Sequence, residues 1–225
     1  MPQPLPRSSI RLLDGSIFDR ADLTGRYLLQ LPPDRLLHNF RVNAGLPSSA
    51  QPLGGWESPA CGLRGHFTGH YLSACAKMFA STGDERFRDR AAEMVAGLVR
   101  CQAALGGKYL SAFPEAHFDI LEREFGGAWA PYYTLHKILA GLIDAHRDGG
   151  VPSALEAAGR LGDWVAARIG GLPASVLEPM LRTSQANPQN EFGGIGESLY
   201  ELYALTGAAE HLGAARQFDR DWFLA

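Results

Sequence analysis

The stretch YYTLHKILAGLIDAH (residues 132–146) is apolar on nearly every face, and in its central LHKILAGLI (135–143) only His136 and Lys137 are polar. A helix that is hydrophobic all round must sit between other elements. At this length it is too short to span a bilayer. It is followed by a turn at Asp148-Gly149-Gly150 and a second, amphipathic pattern, SALEAAGRLGDWVAARI (153–169). An enclosed helix returning through a glycine turn to an amphipathic one is a helical hairpin.

The same unit recurs on both sides. Upstream, a helix from about residue 63 to 81 ends at Gly83, and Asp84 stands where it can cap ERFRDRAAEMVAGLVRCQAAL (85–105). Downstream, GIGESLYELYALTG (194–207) turns into AAEHLGAARQFDRDWFL (208–224), and DRADLTGRYLLQL with PPDRLLHNFRVNAGL (19–46) reads as a further pair of short helices. Phe87, Leu155 and Leu212 occupy equivalent places after the turns, so the repeat is degenerate but real. No strand alternation interrupts it. Inner apolar helices alternating with amphipathic outer ones describe an all-α fold of the α/α-toroid or solenoid kind. Residues 1–16 are expected to form a flexible N-terminal segment ahead of one helical domain.

Long connections precede three of the inner helices: PSSAQPLGGWESPACG (47–62), GGKYLSAFPEAHFDILEREFGGAWAP (106–131) and the polar run before residue 194. All three are read as irregular loops, and loops of that length in a compact domain are usually functional. They carry Trp, Tyr, His and Glu, and in a toroid they converge at one end. Aromatic faces with a few polar groups suit a carbohydrate, which offers C–H faces and hydroxyls.

Composition narrows the partners. Of 225 residues, 46% are hydrophobic and 20% charged, with a net charge of −3. That is an ordinary globular balance with no basic footprint for nucleic acid and no membrane-binding charge run. The N-terminus has no apolar h-region of the secretory kind, so the chain is expected in the cytoplasm. Cys61, Cys75 and Cys101 form no C-x-x-C pair, and Cys75 and Cys101 fall within apolar helical patterns as buried thiols.

The candidate site residues lie near the inner-helix starts. GHFTGHYLSA (65–74) sets His66 and His70 four residues apart, on one face of a helix. Three readings are open: a metal site, contact with sugar hydroxyls, and a helix start whose histidines bond to backbone. Zinc would need a further ligand, and the H-E-x-x-H arrangement is missing. His136 follows the aromatic group Trp129, Tyr132 and Tyr133 into its helix, so it is either a satisfied core residue or a pocket contact. Glu191, in NPQNEFGG (187–194), stands just before an inner helix as a cap or a pocket carboxylate. Glu197, Asp119, Glu57 and Glu115 complete the local acids, the last two expected as solvated surface charges. Glycoside hydrolysis usually needs two carboxylates at controlled separation, which spacing along a chain does not reveal.

Five motifs in order, LGGWES (53–58), LRGHFTGHYLSA (63–74), YLSAFPEAHFDILE (109–122), WAPYYTLHKILAGLIDAH (129–146) and EFGGIGESLYELYALTG (191–207), resemble glycoside hydrolase families 127 and 146, the β-L-arabinofuranosidase-like enzymes. The resemblance implies an (α/α)6 catalytic toroid and retaining hydrolysis of β-L-arabinofuranosides. A zinc-bound cysteine thiolate would be the nucleophile and a glutamate the acid/base. It makes His70, Trp129, Tyr133, His136 and Glu191 substrate-binding candidates and His66 their structural neighbour. The three cysteines do not occupy the family's zinc positions, so zinc is expected in full-length relatives and not in this chain. Ile195-Gly196 stands where relatives have Met-Asn.

At about 60 residues per hairpin, six pairs need ~350 residues, whereas about four pairs are legible here. The expectation is therefore an incomplete toroid, inactive alone and lacking the zinc–cysteine site. Its last inner helix should expose an apolar flank that invites a missing C-terminal half or self-association. Glycan binding without cleavage and a helical-repeat interaction role are the alternatives.

Overall fold

The computed structural model describes residues 5–182, 191–192 and 194–220. Its helices are α1 (Ser16–Gln30), α2 (Pro33–Asn43), α3 (His66–Thr82), α4 (Glu85–Ala104), α5 (Ala116–Glu124), α6 (Pro131–Arg147), α7 (Pro152–Gly170), α8 (Ala174–Leu181), α9 (Ile195–Thr206) and α10 (Ala209–Gln217). Among the described residues there is no strand, and no helix is long and apolar enough to cross a membrane.

Local chemistry sets the boundaries. Proline opens α2, α6 and α7 at the first turn, where its missing N–H costs nothing. Gly83 and Gly207 close α3 and α9 in the left-handed conformation, each donating its N–H back into the last turn. Asp84 caps α4 by accepting from the Arg86 N–H at 3.0 Å. The expected hairpins α3–α4, α6–α7 and α9–α10 are all formed. Their first helices lie side by side as α3–α6–α9, with α4–α7–α10 as a second row behind. The fold class is therefore all-α and toroid-like, with α6 central; Leu135, Ile138, Leu139, Leu142 and Ile143 are fully buried along it.

Three expectations change. The connections 106–131 and 170–193 are not wholly irregular, because α5 and α8 form inside them. Helix α5 has only nine residues, too few to be stable in isolation, and it is held from outside its own sequence. Phe118 packs against Tyr109, Tyr132 and Trp164, while Arg168 on α7 binds Asp119 at 2.6 Å and Glu122 at 2.9 Å. Second, α1 and α2 do not form a hairpin like the others: both lean on α3 and α4. Third, the large exposed apolar side chains are not concentrated on the flank of α9, where Leu205 stands out. They gather near the N-terminus, at Leu13, Ile17, Phe18, Leu23 and Tyr27, because Ile195, Leu199 and Leu202 of α9 are already buried against α6, α7 and α10. The segment 1–16, expected to be flexible, carries a 3₁₀ turn (Arg7–Ser9) lying against α3; residues 1–4 fall outside the described residues, as do 221–225, which include the end of the last helical pattern.

Helices α3 and α6 approach each other closely. Gly69 lies against the backbone of Lys137 and Ile138, and a Cβ there would fall inside the Lys137 carbonyl. From the other side, a Cβ at Gly141 would be 2.5 Å from the Gly69 carbonyl oxygen and 2.9 Å from its Cα. Two glycines thus let two backbones touch, and the obstacle on each side is main chain that cannot rotate away. We expect Gly69→Ala to lower stability by ~3 kcal/mol or more in chemical denaturation, at or beyond the upper end of ordinary overpacking. Gly159→Ala on α7, where the added methyl meets nothing within 4 Å, should raise it by roughly 0.5 kcal/mol. Equal effects at both positions would contradict the close approach.

Candidate functional site

The α3–α6 contact brings the start of α3 beside the start of α6, and the loops before them close around both. Helix α3 begins at His66, so His66 and His70 are both helical, and Gly69 is in that helix to accommodate α6. Gly65, at φ 101°, turns the chain into the helix, where a Cβ would sit 2.8 Å from the Ala112 methyl.

The N-terminus of α3 has no side-chain cap of its own. Glu57 supplies it from the preceding loop. One carboxylate oxygen accepts from the Gly65 N–H at 2.6 Å and the other from the Phe67 N–H at 2.8 Å. Glu57 is only 8% exposed, so the expectation of a solvated charge is wrong here. A buried carboxylate is tolerable because free N–H groups and the positive end of the helix dipole face it. Its loop is fixed by Asn39, which donates to the Glu57 carbonyl at 2.8 Å.

His66 lies next to this cap. Its Nδ1 is 2.9 Å from Glu57 Oε1 and 2.8 Å from the Leu63 carbonyl, both acceptors, so Nδ1 carries the proton. Burial alone would lower the His66 pKa, but the bonds to Glu57 and Leu63 outweigh it and the net shift is upward. His70, one turn on, has an exposed surface and packs edge-on to His66 at 6.0 Å. Its pKa is lowered by the partial burial of its ring first, and then by the charges of Lys137 and His66. Tyr133 approaches His66 at 6.1 Å and lies under the Lys137 ammonium at 4.8 Å.

His136 is buried beneath this surface, and its Nδ1 accepts from the Gly194 N–H at 3.0 Å. That bond requires an unprotonated Nδ1 and leaves the proton on Nε2. Burial first, then the charges of Lys137 and His70, push its pKa down to about 4. Gly194 is part of the arrangement, since a Cβ there would meet the imidazole at 3.0 Å. Glu191 is exposed, and its charge, with that of Glu197, opposes the lowering of the Lys137 pKa by burial. Glu191 also adds to the upward shift that burial gives Tyr133. Residues 187–190 and Gly193 of its motif lie outside the described residues. Trp129 stands at the rim with Trp56, their ring centroids 6.4 Å apart.

The structure thus places His70, Tyr133 and His136 around one surface, with Trp129 on its rim and Glu191 within electrostatic reach. Trp56, Glu57 and Lys137 join them without having been singled out as site residues; all lie within or beside quoted motifs, but only tertiary contact reveals their parts. The other loop acids are committed elsewhere: Glu115 accepts from the Trp164 indole at 3.0 Å and Asp119 pairs with Arg168. A separate open groove of about 530 Å³ runs between α7 and α10, lined by small residues with Lys108, Asp163 and Glu210 at its edges. It has no convergent set of the kind seen around His136.

Cys75 and Cys101 are poor zinc ligands. Cys75 and Cys101 are fully buried, and desolvation pushes both thiols up to about 11, away from the thiolate a metal needs. Among the described residues no group of three or more His, Cys, Asp or Glu is placed to hold a metal ion.

Residues 9–225 match the family model of the β-L-arabinofuranosidase GH127 catalytic domain. A solved structure, the GH127 β-arabinofuranosidase BT3674, is similar with a TM-score of 0.60 at 16% identity, over 96% of this chain and 33% of that one. At that identity the likeness speaks for the fold, and this chain spans a third of that protein's length. No curated protein is a significant match.

Two predictions follow from the geometry. Glu57→Ala strands two N–H groups and His66, and should cost about 2–4 kcal/mol in urea denaturation. Glu57→Gln, which keeps an acceptor, should cost less. In a ¹⁵N NMR titration His136 should hold the Nε2–H tautomer down to about pH 4. Because this folded pKa lies below the unfolded value of about 6.5, its contribution to stability is present above pH 6.5 and is lost as pH falls towards 4. A His136 titration near pH 6.5 would contradict the buried, accepting Nδ1.

Proposed function

We propose that this chain, which belongs to the β-L-arabinofuranosidase GH127 catalytic-domain family, forms one wall of a saccharide pocket that binds an L-arabinofuranose-containing glycan. The observation that carries this reading is the fixed tautomer of His136 beside the α3 histidines. A neutral imidazole with Nδ1 occupied offers Nε2–H as a donor of set direction. His70, whose pKa is lowered, offers one donor and one acceptor in its neutral form. Sugar hydroxyls both donate and accept, so this alternation suits them better than it suits an anion or a cation. Tyr133 and Trp129 add aromatic faces for the C–H surface of the ring, and Glu191 adds an acceptor at the edge.

The role assigned to these residues is binding and orientation. In the chemistry implied for the family, zinc makes a cysteine thiolate available as nucleophile. The described residues contain no matching ligand set, so we route no bond cleavage through them.

Titration calorimetry with methyl β-L-arabinofuranoside tests the reading. Wild-type chain should bind, and His70→Ala, at an exposed position, should weaken binding about 10-fold (about 1.4 kcal/mol) without moving the melting temperature. Affinity should fall as the pH drops towards 4, as protonation of His136 breaks its bond from Gly194. Wild-type protein that binds no arabinofuranoside would overturn the proposal.

A further inference from the structure

Helix α5 and its N-cap carry acids in a row. Glu115, Asp119 and Glu122 stand at i, i+4 and i+7, a spacing that sets their side chains on one face of a helix. Like charges so placed repel, and they work against a helix already too short to hold itself. One cation answers the row. Arg168, in the last turn of α7, donates to Asp119 from Nη2 at 2.6 Å and to Glu122 from both Nε and Nη2, and its Nη1 lies 3.9 Å from Glu115. The guanidinium sits 5.4 Å from the ring centres of both Phe118 and Trp164, and the side chain is only 16% exposed. A planar fork held by two rings and shared by two carboxylates is a geometry that the single ammonium of lysine cannot copy.

What α5 holds in place is the loop that follows it. Phe125 closes the helix at φ 54° and Ala130 enters α6 at φ 44°, so a non-glycine residue stands in the left-handed region at either end of 125–130. Such conformations persist only where the surroundings over-determine them. Here the loop is folded back on α5: a Cβ at Gly127 would meet the Ile120 side chain at 2.9 Å and the Glu124 carboxylate at 3.1 Å. The far end is tied through Tyr132, whose ring packs on Phe118 at 4.9 Å. Trp129 lies between these ties and reaches the pocket rim over Gly62, where a Cβ would stand 2.9 Å from its own Cβ.

We propose that Arg168 is a positioning residue for the pocket: its guanidinium latches α5, and α5 in turn holds the loop 125–130 that sets Trp129 at the rim. Arg168 touches no sugar. It acts through the order it gives to a segment whose own sequence supplies little, and its effect on affinity rests on the saccharide reading of the pocket.

The test compares the whole chain with Arg168→Leu, Arg168→Lys and Glu122→Gln. The readouts are amide hydrogen exchange, the indole N–H resonance of Trp129 and calorimetry with methyl β-L-arabinofuranoside. Arg168→Leu should speed exchange of the α5 amides at least ~10-fold while those of Leu139 and Leu142 in α6 stay within about twofold, the mark of a local opening. The Trp129 resonance should move, and affinity should fall about 5-fold as the rim loses its preset geometry. Arg168→Lys should show the same changes at smaller size, because the charge remains and the fork is lost. Glu122→Gln weakens the latch from the α5 side and should move the Trp129 resonance in the same direction, which keeps the test open where Arg168→Leu does not fold. A Trp129 resonance unmoved in the folded variants overturns the proposal, and so does exchange that rises equally in α5 and α6. A moved resonance with unchanged affinity overturns the positioning role. Wild-type protein that binds no arabinofuranoside overturns the saccharide reading instead, and the Trp129 resonance then still decides the latch.

Discussion

Everything at the candidate site depends on two backbones touching where Gly69 of α3 meets Gly141 of α6. Side chains normally keep packed helices 8–10 Å apart. Removing both Cβ atoms at one level lets the carbonyl and Cα of one helix lie against the main chain of the other. The consequence is positional: His70 follows Gly69, and Lys137, the residue Gly69 touches, follows His136. The close approach that joins two hairpins therefore also joins the two histidine motifs.

Around that contact, one chemical group takes three different states. His66 donates from Nδ1 to a buried carboxylate, and its pKa is raised. His70 stands at the edge of the surface, and partial desolvation together with positive neighbours lowers its pKa. His136 accepts a backbone N–H and is held neutral. Local partners decide each case, and together they give the surface fixed donors and acceptors, with the His136 imidazole uncharged at neutral pH. Glu57 orders the arrangement from behind, since it ties the start of α3 to the loop that carries Trp56.

Much of this was legible in the amino-acid order, and the rest was not for physical reasons. The enclosed helix α6 announces itself because apolarity on all faces is a local pattern, and the Asp84 cap because its partner is two residues away. The site candidates could be placed near one another because each stands at the start of an inner helix. Helix α5 was hidden because its stability comes from Arg168, more than forty residues on. Glu57 looked like a surface charge because the N–H groups it caps lie eight and ten residues downstream, across a loop. Gly69 was visible only as a residue that weakens a helix; its use appears when Lys137 is in place. The exposed apolar surface fell on α1 and not on α9 because α9 is covered by three neighbours, which no single-helix pattern reports.

The account stands on the claim that the α3–α6 junction assembles a surface that receives a sugar. The most direct measurement is a chemical-shift map of the isotope-labelled chain titrated with methyl β-L-arabinofuranoside. The account predicts saturable shifts centred on His70, Tyr133, His136 and the Trp129 indole, with the amide of Gly194 among them. Shifts confined to the groove between α7 and α10, or spread over the exposed apolar face of α1, would contradict it.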